Sequence, residues 1–202
     1  MKFTLIGGGG HCQSLLKALP EGLEPAGYTD LAPVDGMPIP WLGTDSEARG
    51  PVHIALALGR GDTLGARRAL INRFAGAEFV SVIAPTAIVT EGSVIGPGCA
   101  LLHRAVVNGA TIGPNTIINT GAIVEHSATI GENCFIGPGA VVCGGVTIGD
   151  DTLIGAGAVV RNGVTICGGA VIGMGAVVTA DITSPGTYLG CPARKIEKQC
   201  RK

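Results

Sequence analysis

The sequence predicts a small α/β N-terminal unit (a Rossmann-like parallel sheet) followed by a left-handed parallel β-helix of hexapeptide repeats over the C-terminal two-thirds. Three observations predict it. A branched residue recurs every six positions from Ile112 through Ile118, Val124, Ile130, Ile136, Val142, Ile148, Ile154, Val160, Ile166 and Ile172 to Val178. Four residues after each, up to the last, stands a small or β-branched one: Thr116, Ala122, Ala128, Cys134, Ala140, Val146, Thr152, Ala158, Val164, Ala170 and Ala176. Finally, the chain is 46% hydrophobic but only 3% aromatic, with 34 glycines, so its core is filled by small and branched side chains in a narrow, repetitive interior.

A period of six fits neither a helix at 3.6 nor a strand at 2. It fits a solenoid in which each hexapeptide supplies a short strand and a corner, three to a coil, each coil burying its interior against its neighbours. The branched residue points inward, the small one fills the tapered space beside it, and glycine serves the turn. Ile83, Val89, Ile95, Leu101 and Val107 follow the same rule one register over, so the array loses one residue between Val107 and Ile112. That slip is expected to precede the corner of interest below and to leave its stacking intact. A disordered Gly/Ala-rich segment would not satisfy two positional rules over so many rungs.

Residues 1–80 alternate strand and helix. Phe3-Thr4-Leu5-Ile6 reads as a strand, followed by Gly7-Gly8-Gly9-Gly10-His11 and a helical pattern through Leu15, Leu16 and Leu19. A second strand runs around Ala26–Tyr28 and ends at Asp30. A third runs from Val52 to Leu58, closes at Gly59 and leads into a helix over Leu64–Phe74. This pattern implies a parallel sheet. A glycine run between strand and helix lets backbone amides approach a phosphate at a helix N-terminus. The full G-x-G-x-x-G is absent, since Cys12 holds the last glycine position, and a tight turn needing positive φ is the competing reading.

The net charge of −1 and pI near 6.4 carry no electrostatic footprint for nucleic acid or an anionic membrane. No apolar run approaches the roughly 20 residues that span a bilayer. The N-terminus lacks a signal-peptide pattern, and the seven cysteines show no C-x-x-C spacing, which points to a reduced cytoplasmic protein.

Of the four histidines, His53 opens an apolar strand and reads as structural, and His103 stands at a corner with no further signal. His126 stands two after Val124, at a corner facing out of the coil, where a neighbouring subunit can reach it. Gly144 lies three rungs on, stacked one coil along on the same corner, with its N–H near the imidazole. A base beside a donor for developing negative charge is what acyl transfer requires.

Beyond these patterns, the whole chain resembles the bacterial sugar acyltransferases typified by the sialic acid O-acetyltransferase and the bacillosamine-type nucleotide-amino-sugar N-acetyltransferases. The residues that carry the resemblance are Ile6–His11, Tyr28-Thr29-Asp30, Ala57-Leu58-Gly59, Asn119–His126 and Leu189–Arg194. It implies a homotrimer with active sites at subunit interfaces, acetyl-CoA as co-substrate without a metal, and a nucleotide-linked amino sugar as acceptor in surface glycan biosynthesis, with sugar O-acetylation as the alternative.

Carried over by resemblance, His126 is the general base and the Gly144 amide holds the oxyanion. Gly8, Gly9, Gly10, His11, Asp30 and Gly59 line the nucleotide-sugar pocket. Gly155, Gly173 and the Pro192-Ala193-Arg194 loop contact coenzyme A. The implied division is 1–80 for the nucleotide sugar, 81–183 for acyl transfer and 184–202 for coenzyme A.

Two departures stand out. The acidic residue expected after the histidine is Ser127, which can hold a ring but not stabilise imidazolium as a carboxylate would, with Glu125 as a possible substitute. A second histidine found nine residues on in some relatives is Phe135 here. Two readings from other classes are a zinc hydratase, for which three histidines would have to converge, and a non-catalytic scaffold, which would need neither the glycine run nor Leu189–Arg194.

Overall fold

A computed structural model describes residues 1–56 and 63–196. Strand β1 (Lys2–Ile6) is central, flanked by β2 (Glu24–Thr29) and β3 (Val52–Ile54) in the order β2-β1-β3, all parallel. Helix α1 (Gly10–Lys17) follows β1, and α2 (Thr63–Arg73) follows β3. The expected third strand is shorter than its apolar run. Ala55 and Leu56 leave the ladder, and Ala57-Leu58-Gly59 lie outside the described residues.

The hexapeptide array forms the left-handed parallel β-helix that its period predicts. Its two-residue strands stack as three parallel sheets. The first face runs Val82–Ile83, Ala100–Leu101, Ile117–Ile118, Phe135–Ile136, Leu153–Ile154 and Ala170–Ile172. The second runs Ile88–Val89, Val106–Val107, Ile123–Val124, Val141–Val142, Val159–Val160 and Val177–Val178. The third runs Val94–Ile95, Thr111–Ile112, Thr129–Ile130, Thr147–Ile148 and Thr165–Ile166. The last residue of each strand points inward, and from Leu101 onward it joins the small column in one buried core. Partners lie 18 residues apart above the slip, as in Ile123↔Val141, and 17 apart across it, as in Val106↔Ile123.

The outward column differs from face to face. On the third it is Thr111, Thr129, Thr147 and Thr165, all exposed. On the first it is Ala100, Ile117, Phe135 and Leu153, where Ala100 and Ile117 share a core with Phe3, Leu5 and Leu15 of the N-terminal unit. Leu64 of α2 packs against Leu153. On the second face Ile88 is 55% exposed, and Val106, Ile123, Val141, Val159 and Val177 are half-buried, with no element of the described chain over them.

Beyond the last full coil, Gly186–Leu189 continues the first sheet. Arg194–Ile196 folds back on it antiparallel and ends the described chain.

Candidate active site

Between the second and third faces the corners stack into an edge: Thr90–Ser93, Asn108–Ala110, Glu125–Ala128, Cys143–Val146 and Arg161–Val164. His126 is exposed on it. Its carbonyl accepts the Gly145 N–H at 2.9 Å, which locks the two coils in register. A Cβ on Gly144 would come within 2.8 Å of both Cε1 and Nε2 of His126. The ring therefore lies over the Gly144 backbone, and a side chain there would displace it. The Gly144 N–H has no partner among the described residues.

The neighbours of His126 do not complete a charge-assisted dyad. Ser127 sits in the left-handed region (φ 60), and its Oγ is 3.5 Å from Nδ1, too long to hold the ring firmly. The Glu125 carboxylate is drawn away instead, its Oε2 accepting from Asn108 Nδ2 at 2.8 Å. Thus Glu125 and Ser127, the two expected helpers, do not orient the imidazole. The one-residue slip precedes this corner, as expected. It falls on this same edge, in the corner directly before that of His126, because counting around three faces returns to one edge every three rungs. The stacking of His126 on Gly144 is nevertheless intact.

At the N-terminal unit the glycine run divides by role. Gly8 is buried, donates its N–H to Asp30 Oδ2 at 2.8 Å, and has no space for a Cβ, which would meet the Tyr28 ring at 2.4 Å. Gly9 and Gly10 are exposed with nothing within 4 Å of a Cβ, and they open α1 without a side-chain cap or an acidic residue in its first turn. Gly8 is thus a packing glycine, and Gly9 and Gly10 are the open ones. Asp30 is engaged twice at the loop, its Oδ1 accepting from the Leu31 N–H at 2.7 Å.

A cavity of about 630 Å³ opens at the carboxyl ends of the three strands, lined by Gly7, Asp30, Thr44, Asp45, Arg73 and Phe74 among others. Such a crevice is the usual ligand site of an open parallel sheet. Asp45 accepts from Thr29 Oγ1 and pairs with Arg73, both at 3.0 Å. Sequence reasoning missed Thr44, Asp45 and Arg73, which lie in an irregular loop and at a helix end with no motif spacing.

His11 does not line this cavity. It is buried, its Nε2 without a partner, and burial, with smaller effects from His53 and Arg67, pushes its pKa down to about 3. Fully buried His53 donates from Nδ1 to Val80 O at 2.8 Å and is likewise pushed down by burial, to about 4. Fully buried Arg67 donates to Asn133 Oδ1 at 2.7 Å and to Asn115 O, with no carboxylate on it, and burial pushes it down to about 10. His103 is on another edge, tying Thr86 Oγ1 (2.8 Å) to the Lys17 carbonyl at the end of α1 (2.9 Å). Among the described residues no group of three or more His, Cys, Asp or Glu is placed to hold a metal ion.

Gly155 and Gly173 do not present open backbone. A Cβ on Gly155 would lie 2.6 Å from Met174 N, and one on Gly173 would lie 2.1 Å from Leu189 Cδ2. Both follow an inward residue, where successive coils approach most closely. Pro192 and Arg194 are exposed and Ala193 half-buried. Ala193 and Arg194, with Lys195, line a second cavity of about 210 Å³ against Thr179, Ala180 and Asp181, the continuation of the His126 edge. Gly59 lies outside the described residues.

Two family descriptions match the chain, "Bacterial transferase hexapeptide (six repeats)" over residues 109–144 and "Hexapeptide repeat of succinyl-transferase" over 145–180. No curated protein sequence matches it. Among solved structures, PerB from Caulobacter crescentus, in complex with CoA and GDP-perosamine, is 31% identical with a TM-score of 0.87, with 96% of each chain covered. The acetyltransferase domain of PglB from Neisseria gonorrhoeae is 28% identical with a TM-score of 0.85, covering 96% of this chain and 99% of that one. The same domain has been solved with acetyl coenzyme A. WeeI from Acinetobacter baumannii, at 23% identity and a TM-score of 0.79, shares the fold.

Proposed function

Because this chain belongs to the hexapeptide-repeat sugar acyltransferases, we propose that it moves the acetyl group of acetyl-CoA onto the amine of a nucleotide-linked amino sugar, with His126 as general base. The observation that carries this reading is the His126 ring lying over Gly144, whose N–H has no partner. The acceptor amine attacks the thioester carbonyl, His126 takes its proton at Nε2, and the Gly144 N–H donates to the oxyanion. Collapse then expels the coenzyme A thiolate.

N-acetylation is favoured over O-acetylation by the bare imidazole. Without a carboxylate behind it, the imidazolium formed on proton uptake has no paired charge, which suits an amine that is already nucleophilic when neutral better than a hydroxyl.

The nucleotide half is read from the 630 Å³ cavity, which Gly7 and Asp30 line, and the exposed Gly9 and Gly10 at the start of α1, outside that lining, are read as taking the phosphates. Coenzyme A is read along the His126 edge. Three coils separate His126 from Ala180, about 14 Å at roughly 4.8 Å per coil, and there Arg194 and Lys195 offer cations to its phosphates. The 1–80, 81–183 and 184–202 division follows these three tasks. A homotrimer is supported by the uncovered apolar ladder from Ile88 to Val177 on the face that leads into the His126 edge, which a second copy would cover. No described helix is long and apolar enough to cross a membrane, and we place the enzyme in the cytoplasm, where both substrates are made.

The test is free-thiol release from acetyl-CoA across UDP-, GDP- and dTDP-linked amino sugars. His126→Ala should lower kcat/KM by about 10²–10⁴-fold. No turnover on any amino sugar would sink the reading, and an undiminished variant would remove His126 from its role.

A further inference from the structure

The ladder of corners that carries His126 breaks at one residue. Along that edge the carbonyl of the second corner residue accepts the N–H of the third residue one coil on. Gly109 O accepts from Ser127 at 3.0 Å, His126 O from Gly145 at 2.9 Å, and Gly144 O from Gly163 at 3.0 Å. Asn162 is the next in this column, one coil, about 4.8 Å, beyond Gly144 on the side away from His126. Its carbonyl receives no N–H among the described residues.

The break has a cause in the sequence. The corner that should cover Asn162, Thr179–Asp181, closes early: Ile182 bridges Ile166 after 16 residues, where Ile148 and Ile166 pair 18 apart. Asp181, which would supply the missing rung, instead accepts the Thr165 N–H on its Oδ1 at 2.9 Å. The edge thus carries an unpaired backbone acceptor between Gly144 and the cavity that Arg194 and Lys195 line.

The side chain adds a donor at the same place. Asn162 is exposed, and its amide has no hydrogen bond among the described residues. Beside it Gly163 is exposed too, and a Cβ there would meet no atom within 4 Å. An unpaired backbone edge takes an extended chain that brings its own amides, and the pantetheine arm of coenzyme A is such a chain.

We propose that Asn162 is a positioning residue for acetyl-CoA. Its carbonyl accepts the N–H of the arm's amide nearest the thioester, filling the vacant rung, and its Nδ2 donates to a carbonyl of the same arm. The spacing suits it. That amide nitrogen is four bonds from the thioester carbon, which extended spans about 4.8 Å, one coil. With the amide held at Asn162, the thioester carbonyl falls over Gly144 beside His126. The proposal rests on the acetyl-transfer reading above and assigns to it a residue that sets where the thioester stops.

The experiment compares acetyl-CoA with an analogue in which a methylene replaces the amide N–H nearest the thioester. The wild type should favour acetyl-CoA by roughly fivefold to tenfold in kcat/KM, the scale of one hydrogen bond. Asn162→Ala should raise KM for acetyl-CoA about fivefold, while KM for the amino sugar and the melting temperature stay at their wild-type values. Asn162→Gln, which keeps the donor, should recover part of that loss, as a merely structural role would not predict.

An analogue used as well as acetyl-CoA, or an Asn162→Ala variant with the wild-type KM for acetyl-CoA, overturns the proposal and leaves acetyl transfer standing. Absence of thiol release with every amino sugar overturns both.

Discussion

The β-helix and the junction where the α/β unit meets its first face bury polar groups in opposite ways. Inside the β-helix the few buried hydroxyls find backbone acceptors, as Thr116 does with Gly131 O at 2.8 Å. At the junction, His11 Nε2, His53 Nε2, Arg67 Nε and Nη2, and Asn115 Oδ1 are all buried without a partner among the described residues. In a solenoid each coil presents the next with the same rung, so the buried hydroxyls of the column meet preformed backbone partners. At the junction two surfaces with no common repeat are pressed together, and a buried guanidinium is held by neutral oxygens alone. Acyl-transfer chemistry on the outside of the repeat can therefore vary without touching its core, whereas the junction couples packing to protonation.

That contrast can be broken by experiment. In the β-helix Ile136→Ala removes an inward side chain from a fully buried column and should cost about 2–5 kcal/mol, read as a lower denaturant midpoint. At the junction Arg67→Met leaves Asn133 Oδ1 and Asn115 O unpaired, and a loss of about 2–3 kcal/mol is expected in the same measurement. If that variant proves as stable as the wild type, the guanidinium is dispensable and the contrast is weaker than drawn.

The junction should also be the acid-sensitive part. His11 and His53 are held neutral in the fold, with pKa values near 3 and 4, but take up protons below about 6.5 when unfolded. Their contribution is fully present above pH 6.5 and is lost as pH falls from there through 4 toward 3. Melting temperature should fall across that window, and His11→Gln should flatten the fall. A slope unchanged in that variant would place the acid sensitivity elsewhere. The smallest effect belongs to the active edge, where Ser127→Asp supplies the missing carboxylate at a left-handed position (φ 60) that Asp tolerates. kcat should rise a few-fold with acetyl-CoA KM unchanged, and a fall would mean the bare imidazole suits its acceptor.

Much of the β-helix was legible because its information is local and repeated. The period identified the inward residues from Leu101 to Val178, and His126 and Gly144 fell on one corner by counting alone. The slip at Val107–Ile112 was visible too, but its place on the His126 edge appears only when corners are assigned in threes around the coil. The α/β unit was legible as a strand-helix alternation and no further. Gly8, Gly9 and Gly10 are identical letters, and only the Tyr28 ring over Gly8 separates the packing glycine from the open ones.

What the sequence determined by itself is the solenoid, its three faces, its register and the outward position of His126, since each follows from residues six or eighteen apart. What the tertiary structure decided is where the remaining polar groups point. His11 turns into the junction, Arg67 reaches Asn133 across 66 residues, and Glu125 turns to Asn108 and away from His126. No period relates those residues, and their partners are set by how a non-repeating unit seats on a repeating one and by a corner one residue short.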